Sequence, residues 1–287
     1  TSWVDCGCLI GVLCGTLITL ILNTYLTQPN FLAWGWRLPF ILSSILALLA
    51  FYFRKDFQET KQFLKQKPYS KDSSSSIIMK IFLAVCVYAF GNVGFYLLLV
   101  FLPNYLIEKD ILTSSSSFLL TSFMSALIAL AIPFAGYLSD KLGRLRLLAG
   151  SIILTSLTSI PLFMVASSIS FSLFIIVQIA FSFCLALFYG GEAAFFSETF
   201  PPKFRFLAVS LSLSFSNILF GGGAPFAAEW ISQQFGDIKM LSLGVVCLGV
   251  ISLIGIVNLR SQLLFSDYKN KRVFFIRPFL KSSISSG

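Results

Sequence analysis

The chain has 287 residues, of which 56% are hydrophobic and 11% are charged, and its formal net charge is +9. Soluble domains carry roughly 25% charged residues, so this composition excludes an ordinary soluble globule. The sequence contains no histidine, which excludes histidine-based catalytic triads, histidine-ligated metal sites and haem ligation through histidine.

Long stretches without a charged residue alternate with short charged segments along the chain. A hydrocarbon core about 30 Å thick is crossed by about 20 apolar helical residues. The uncharged stretches are long enough for eight crossings, because the stretch at 147–191 can hold two around a polar break at 167–170. The predicted spans are 8–26, 38–54, 79–104, 117–138, 147–166, 171–195, 206–230 and 240–259. The sequence therefore predicts an all-α polytopic transmembrane helical bundle with about eight spans.

Basic residues are concentrated in every second loop. Of the 21 lysines and arginines, only Arg37, Lys109 and Lys239 lie in the intervening loops. This alternation follows the positive-inside rule and predicts that both ends of the chain are cytoplasmic, in a cell inner (plasma) membrane. The charge therefore indicates a lipid bilayer as the partner, and we expect no nucleic acid.

The six cysteines lie almost wholly in apolar runs. We interpret them as buried, reduced and inert thiols, and we predict neither a metal site nor a cofactor. The chain opens with Thr1 shortly before a span, and we expect this to be an interior point of a longer protein.

The loop between the fourth and fifth predicted spans carries a compact glycine and charge motif. Its glycine would let one helix approach a neighbour closely, and its charges could hold one conformation closed and separate when the molecule opens. The alternative is that these charges only set topology. The predicted gating residues are Gly136, Asp140, Lys141, Gly143, Arg144 and Arg146.

This loop is one of four segments that together resemble the major facilitator superfamily, specifically its metabolite:proton symporter group, which includes proline/betaine carriers. The other segments are 34–40, 95–106 and 198–205, the last followed by 220–225. The resemblance covers nearly the whole chain up to about residue 260 and implies a complete carrier of twelve spans, the first four of which are absent here. A separately encoded N-terminal part is therefore a candidate partner.

The resemblance implies a division into four regions. Residues 1–53 would be the last two helices of an N-terminal bundle, and 54–78 a cytoplasmic linker, whose first part would equally suit a helix on the membrane surface. Residues 79–260 would form a six-helix C-terminal bundle, followed by a basic cytoplasmic tail at 261–287. Leu145 and the pair Gly191-Glu192 depart from the group's pattern, which leaves the substrate open.

Polar residues inside spans usually face the bundle interior. Tyr88, Asn92 and Tyr96 recur every four residues and form one helical stripe. The resemblance implies that this span lines a central cavity, together with the span that contains Gln178 and Tyr189. Their hydroxyl, amide and aromatic groups would suit a small zwitterion or a quaternary ammonium group. The alternative is interhelical packing and hydrogen bonding.

Other residues are candidates for proton coupling, for gating and for helix bending. Glu192 could relay protons or pair with a basic residue in the gate, although a carboxylate near the interface can also be hydrated. Glu198 and Arg205 flank a turn and are predicted to form a second inner-gate ion pair. A glycine run before a proline could bend its helix, or could instead admit a tightly packed neighbour. The run comprises Gly221, Gly222, Gly223 and Pro225.

The resemblance implies a secondary active transporter that carries out proton-coupled symport of a small polar metabolite, such as proline, betaine or an organic acid, by alternating access. No catalytic constellation is visible, so we do not expect an enzyme. Two alternatives remain, a non-transporting product of a split or decayed transporter gene and an eight-span membrane enzyme or channel.

Overall fold

The computed structural model describes residues 2–54, 74–166, 171–201 and 204–260, and every regular element in these ranges is helical. Eight helices in the described residues are long and apolar enough to cross a membrane. They are Trp3–Tyr25, Gly35–Phe53, Ile77–Glu108, Ser114–Leu142, Arg144–Ala166, Phe171–Thr199, Arg205–Phe235 and Met240–Arg260. The prediction of an all-α polytopic bundle with about eight spans is confirmed.

The spans are built from continuous and interrupted helices. The helices are α1 (Ser2–Tyr25), α2 (Gln28–Ala33), α3 (Leu38–Arg54), α4 (Ser74–Tyr96), α5 (Leu102–Glu108), α6 (Ser114–Leu142), α7 (Arg144–Ala166), α8 (Phe171–Thr199), α9 (Arg205–Ser216), α10 (Gly223–Phe235) and α11 (Met240–Arg260). A 3₁₀ turn, Gly35–Arg37, precedes α3. Two π-helical segments, Leu97–Phe101 and Asn217–Gly221, interrupt the third and seventh spans.

Most helices extend beyond the predicted spans, by up to nearly two turns at the start of α1. The fourth span, predicted at 117–138, belongs to a helix that runs from Ser114 to Leu142 and includes Lys141 in its last turn. The sequence limits were set by charged residues, but a charge at the interface does not end a helix. Long basic side chains reach water, while the helix continues to satisfy its backbone hydrogen bonds.

Helix α8 lies at the centre of the described bundle. It packs against α6 and α7 along its length, and α1 packs along α6 and also touches α8. The consecutive residues 184–188 of α8 are all buried, so no face of the helix is open there. On the other side, α4 packs against α9. Helix α3 contacts α1 and the Gly35–Arg37 turn, and its side chains are mostly exposed.

The burial of the cysteines differs from the prediction. Cys6 and Cys184 are buried, but Cys8, Cys14 and Cys247 are exposed on helix surfaces. An apolar run in a membrane protein is not necessarily protein core, because lipid can cover the exposed face of a span. The predicted division into 1–53, 54–78, 79–260 and 261–287 stays a prediction, since most of the linker and the whole tail lie outside the described residues.

Candidate functional site

The ends of four helices, α6 to α9, meet at one end of the bundle. Gly143 forms the whole connection between α6 and α7. Its φ of 91° and ψ of 131° are accessible in practice to glycine alone. The Gly143 amide donates to Ser139 O at 3.0 Å and caps α6. This tight turn brings Asp140 at the end of α6 next to Arg144 at the start of α7.

Arg144 connects three helices. Its Nη2 lies 3.6 Å from Asp140 Oδ1, and its Nη1 forms an ion pair with Glu198 Oε1 of α8. Nη1 also donates to the backbone oxygen of Ala194 at 3.3 Å. The Arg144 side chain is 30% exposed and that of Glu198 62%, so water screens both ion pairs. We call the set Asp140, Arg144 and Glu198 the Arg144 cluster.

The predicted second ion pair, between Glu198 and Arg205, is not formed in the structure. Glu198 pairs with Arg144, whereas the Nε of Arg205 donates to Phe200 O at 3.4 Å. The two clusters expected from the sequence are therefore one, because α8 ends beside the start of α7. Among the other predicted gating residues, Lys141 Nζ lies 4.6 Å from the ring centroid of Tyr137, and Arg146 is exposed.

Helices α6 and α8 touch through their backbones close to this cluster. A Cβ added to Gly190 would lie 2.4 Å from Ala135 Cβ and 2.8 Å from the backbone nitrogen of Gly136. The close approach expected at Gly136 is thus present, and its partner is Gly190, which the sequence analysis did not single out. The neighbouring pair Gly190-Gly191 inside a span was the available signal, since small residues let membrane helices approach.

Two adjoining cavities of about 370 and 330 Å³ flank the Arg144 cluster. Both are lined by Ser139, Asp140, Arg144 and Glu198. The smaller also reaches Arg205 and the α6–α8 contact at Gly190. The volumes of both cavities would therefore change if the ends of α6, α7 and α8 separated.

A third cavity, of about 410 Å³, lies between α1, α4, α8 and α9. Its charged and titratable lining residues are Asp5, Tyr88, Glu192 and Arg205. Glu192 is only 5% exposed. Asp5 was missed because the first span was predicted to start at residue 8, which made Asp5 a boundary charge, whereas α1 already begins at Ser2.

The stripe Tyr88, Asn92 and Tyr96 follows the side of α4 that meets α8, α9 and the second π segment. Tyr88 stacks on Phe196 with ring centroids 4.2 Å apart. Asn92 Nδ2 donates to Ser216 Oγ at 2.8 Å, and Tyr96 lies against Gly221. Tyr88 reaches the Glu192 cavity, but Asn92 and Tyr96 do not line it. In this conformation Asn92 makes the interhelical hydrogen bond that was the alternative interpretation.

The two α8 candidates occupy different surroundings. The Tyr189 hydroxyl donates to Gly91 O of α4 at 3.0 Å. Gln178 is fully buried, and neither atom of its amide group has a hydrogen-bond partner within the described residues. Neither residue lines the Glu192 cavity. Of the five predicted substrate residues, only Tyr88 therefore lines the Glu192 cavity in this conformation.

The glycine run coincides with an irregularity in its helix. The Gly222 amide donates to Asn217 O at 3.0 Å, which closes the π turn just before Gly223 and Pro225 in α10. A Cβ on Gly221 would lie 2.9 Å from Tyr96 Cε2, whereas Gly223 has open space around it. Tight packing thus applies to Gly221, and bending stays a prediction for the run. The other π segment, Leu97–Phe101, precedes Pro103 and was not predicted.

Comparison with known proteins gives the family. The model described as Major Facilitator Superfamily matches residues 81–274, and the model described as Sugar (and other) transporter matches residues 1–79. The chain is 27% identical to the citrate-proton symporter of Salmonella typhi over 243 residues, covering 83% of this chain and 56% of that protein.

Two further relatives are named as transporters of other solutes. The proline/betaine transporter of Salmonella typhimurium is 26% identical over 276 residues, covering 90% of this chain and 55% of that protein. The glycine betaine/proline/ectoine/pipecolic acid transporter of Dickeya dadantii is 26% identical over 273 residues, covering 88% of this chain and 54% of that protein. The chain spans about half the length of the curated relatives it matches.

These names and the eight apolar helices indicate a multi-pass membrane protein of the transporter class and not an enzyme. The superfamily model alone covers more than half of the sequence, in agreement with the resemblance carried by the glycine and charge motif. The chain belongs to the Major Facilitator Superfamily.

Proposed function

We propose that this chain works in secondary active transport, as a proton-coupled symporter of a small polar metabolite such as proline, betaine or an organic acid. The observation that carries this proposal is the Arg144 cluster, which joins the ends of α6, α7 and α8 through side chains that can separate. Membership of the superfamily and the names of the relatives support it.

The strength of the Arg144 cluster suits a gate. Exposed ion pairs contribute about 0–1 kcal/mol each, and the hydrogen bond to Ala194 O about 1 kcal/mol. Opening would thus cost about 1–3 kcal/mol, so that the open state remains accessible at equilibrium. A substrate that binds the open state better can then shift the population. The gating roles of Gly136, Lys141, Gly143, Arg146 and Arg205 remain part of this proposal.

The substrate site is proposed on α4 and α8, at Tyr88, Asn92, Tyr96, Gln178 and Tyr189. A helix movement that breaks the Asn92–Ser216 bond would free an amide for a substrate carboxylate or ammonium group. The unpartnered amide of Gln178 would likewise need a polar partner in some state of the cycle. The π segment before Gly222, Gly223 and Pro225 is proposed as the place where the seventh span bends.

We also propose an inner-membrane location with both chain ends in the cytoplasm, on the basis of the alternating basic loops. Reporter tags inserted after residues 70 and 110 should then lie on opposite sides of the membrane. Since the chain spans only about half the length of these relatives, we propose that transport needs a further membrane bundle, either contiguous or separately encoded. A saturable uptake by these 287 residues alone would contradict that requirement.

The function is tested by uptake of labelled proline, glycine betaine and citrate in an uptake-deficient bacterial host. The chain is co-expressed with the part of the Salmonella typhimurium proline/betaine transporter to which it does not align. We expect saturable uptake of one of the three solutes, and we expect its loss when a protonophore dissipates the proton gradient.

The control is that Salmonella transporter divided at the same point and expressed as two parts. If the divided control takes up its solute while the test pair takes up none of the three, the proposed substrate class is wrong. If uptake by the test pair survives the protonophore, the proton coupling is wrong. Arg144→Ala should reduce uptake in the test pair, whereas Glu229→Gln, at a half-buried position on α10 away from the Arg144 cluster, should not.

A further inference from the structure

The cavity of about 410 Å³ between α1, α4, α8 and α9 contains two carboxylates from distant parts of the sequence. Asp5 comes from α1 and Glu192 from α8. Tyr88 of α4 and Arg205 of α9 complete the charged and titratable groups that face this space. Four helices therefore contribute a titratable or charged side chain to one cavity.

Neither carboxylate is fully satisfied. Glu192 is 95% buried, since its exposed fraction is 5%, and its Oε2 is buried without a hydrogen-bond partner in the described residues. Asp5 Oδ2 is likewise buried and lacks a partner within those ranges. A buried carboxylate without a partner is costly, so it is normally neutralised by a proton, a cation or an ion pair.

Arg205 does not supply this neutralisation. It lines the same cavity, but the hydrogen bond described for its Nε goes to the backbone oxygen of Phe200. Among the described residues, no salt bridge joins Arg205 to Asp5 or to Glu192. Among the described residues that line this half-open cavity, two are acidic and one is basic, so negative charge exceeds positive charge there.

Resting on the proposed symport, we propose that Asp5 and Glu192 form one binding site for the coupling cation, a monovalent cation that is either H⁺ or Na⁺. The pair would hold it between α1 and α8, with the Tyr88 hydroxyl as a further ligand or donor. Bound cation would hold α1 against α8, and its release would leave two like charges that repel across the same contact. This links occupancy of the site to the packing of the two helices.

The test uses the purified chain in detergent and a hydrophobic carbodiimide, which modifies carboxyl groups that are protonated and lie in an apolar environment. The labelled residues are located by peptide mass spectrometry. We expect Glu192 to be labelled at least about fivefold more than Glu198 at about pH 6, because Glu198 is exposed and ion-paired on the same helix. Labelling of Glu192 should fall as the pH rises.

Two reciprocal variants test whether the carboxylates act as a pair. Asp5→Asn should lower labelling of Glu192 at least about threefold at fixed pH, and Glu192→Gln should do the same for Asp5, because each carboxylate favours retention of the proton by the other. Glu229→Gln, which removes a carboxylate from α10 outside the cavity, should change neither. Each variant is first checked for a monodisperse elution profile, and either one of the pair suffices if the other does not fold.

Replacing KCl with NaCl at constant pH distinguishes the two cations. Protection of Glu192 by sodium identifies Na⁺ as the occupant, and unchanged labelling identifies H⁺. The proposal is overturned if Glu192 is labelled no more than Glu198, or if a folded variant leaves its partner's labelling unchanged. None of these readouts needs transport, so the cation site can stand or fall independently of the uptake experiment.

Discussion

Gly190→Ala probes the backbone contact between α6 and α8. The added Cβ would lie 2.4 Å from Ala135 Cβ, 2.8 Å from Ala135 C and 2.8 Å from Gly136 N. Carbon atoms in ordinary contact are about 3.5–4.0 Å apart, so the helices would have to separate by more than about 1 Å. The opposing atoms are backbone and Cβ atoms, which no change of rotamer can move aside.

The magnitude follows from two opposing effects. Overpacking costs about 1–3 kcal/mol, and the upper end applies here because no rotamer can relieve it. Replacing glycine by alanine inside a helix contributes about 1 kcal/mol in the opposite direction. We therefore expect a net loss of about 2 kcal/mol in the free energy of unfolding, equivalent to a fall of roughly 5 °C in Tm.

The assay is thermal unfolding of the purified chain in detergent, followed by circular dichroism at one fixed heating rate. Gly150→Ala on α7 is the matched control, because nothing lies within 4 Å of its added Cβ. We expect the control to unfold at the same temperature as the parent or slightly higher. If Gly190→Ala and Gly150→Ala unfold at the same temperature, the α6–α8 backbone contact does not exist as described and the reasoning is refuted.

Three other changes test separate contacts. Arg144→Ala should weaken closure at the ends of α6–α8 by about 1–3 kcal/mol. The rate at which a thiol reagent modifies a Ser197→Cys reporter should then rise on the order of tenfold, whereas substitution of the exposed Arg37 by alanine, outside the Arg144 cluster, should leave that rate unchanged. Asn92→Ala and Ser216→Ala should each lower the free energy of unfolding, because each removes the hydrogen bond between the two side chains. In a double-mutant cycle, the double variant should lose about 1 kcal/mol less than the sum of the two single losses. Strictly additive losses would contradict the hydrogen bond. The pKa of Asp237 is lowered because its carboxylate accepts a hydrogen bond from the Lys239 amide at 2.9 Å and pairs with Lys239 Nζ at 3.3 Å. Its stabilisation is therefore fully present above the ordinary pKa of an aspartate and is lost as the pH falls through the lower folded value. Asp237→Asn should remove that part of the pH dependence of the free energy of unfolding. If the loss of stability at acidic pH is the same in Asp237→Asn and the parent, the prediction is wrong.

Several features followed from the sequence because they depend on local chemistry or on the solvent. Uncharged stretches long enough for a bilayer predicted the eight spans, since lipid requires an apolar helix whatever its neighbours are. The spans at 117–138 and 147–166 predicted a short loop that contains Gly143, and the structure reduces this loop to Gly143 alone, since its positive φ suits glycine. Helix ends were less well predicted, because charged residues remain helical at the interface.

The pairings across helices came only from the tertiary structure. Nothing in the spacing of residues indicates that Glu198 meets Arg144, that Gly190 meets Gly136, or that the cavity beside Glu192 also contains Asp5. Periodicity shows which face of a helix is polar or small, but all spans are apolar enough for lipid, so it does not show which neighbour that face meets. Partner choice is decided by close packing and interhelical polar contacts among residues far apart in the chain, and those exist only once the bundle has assembled.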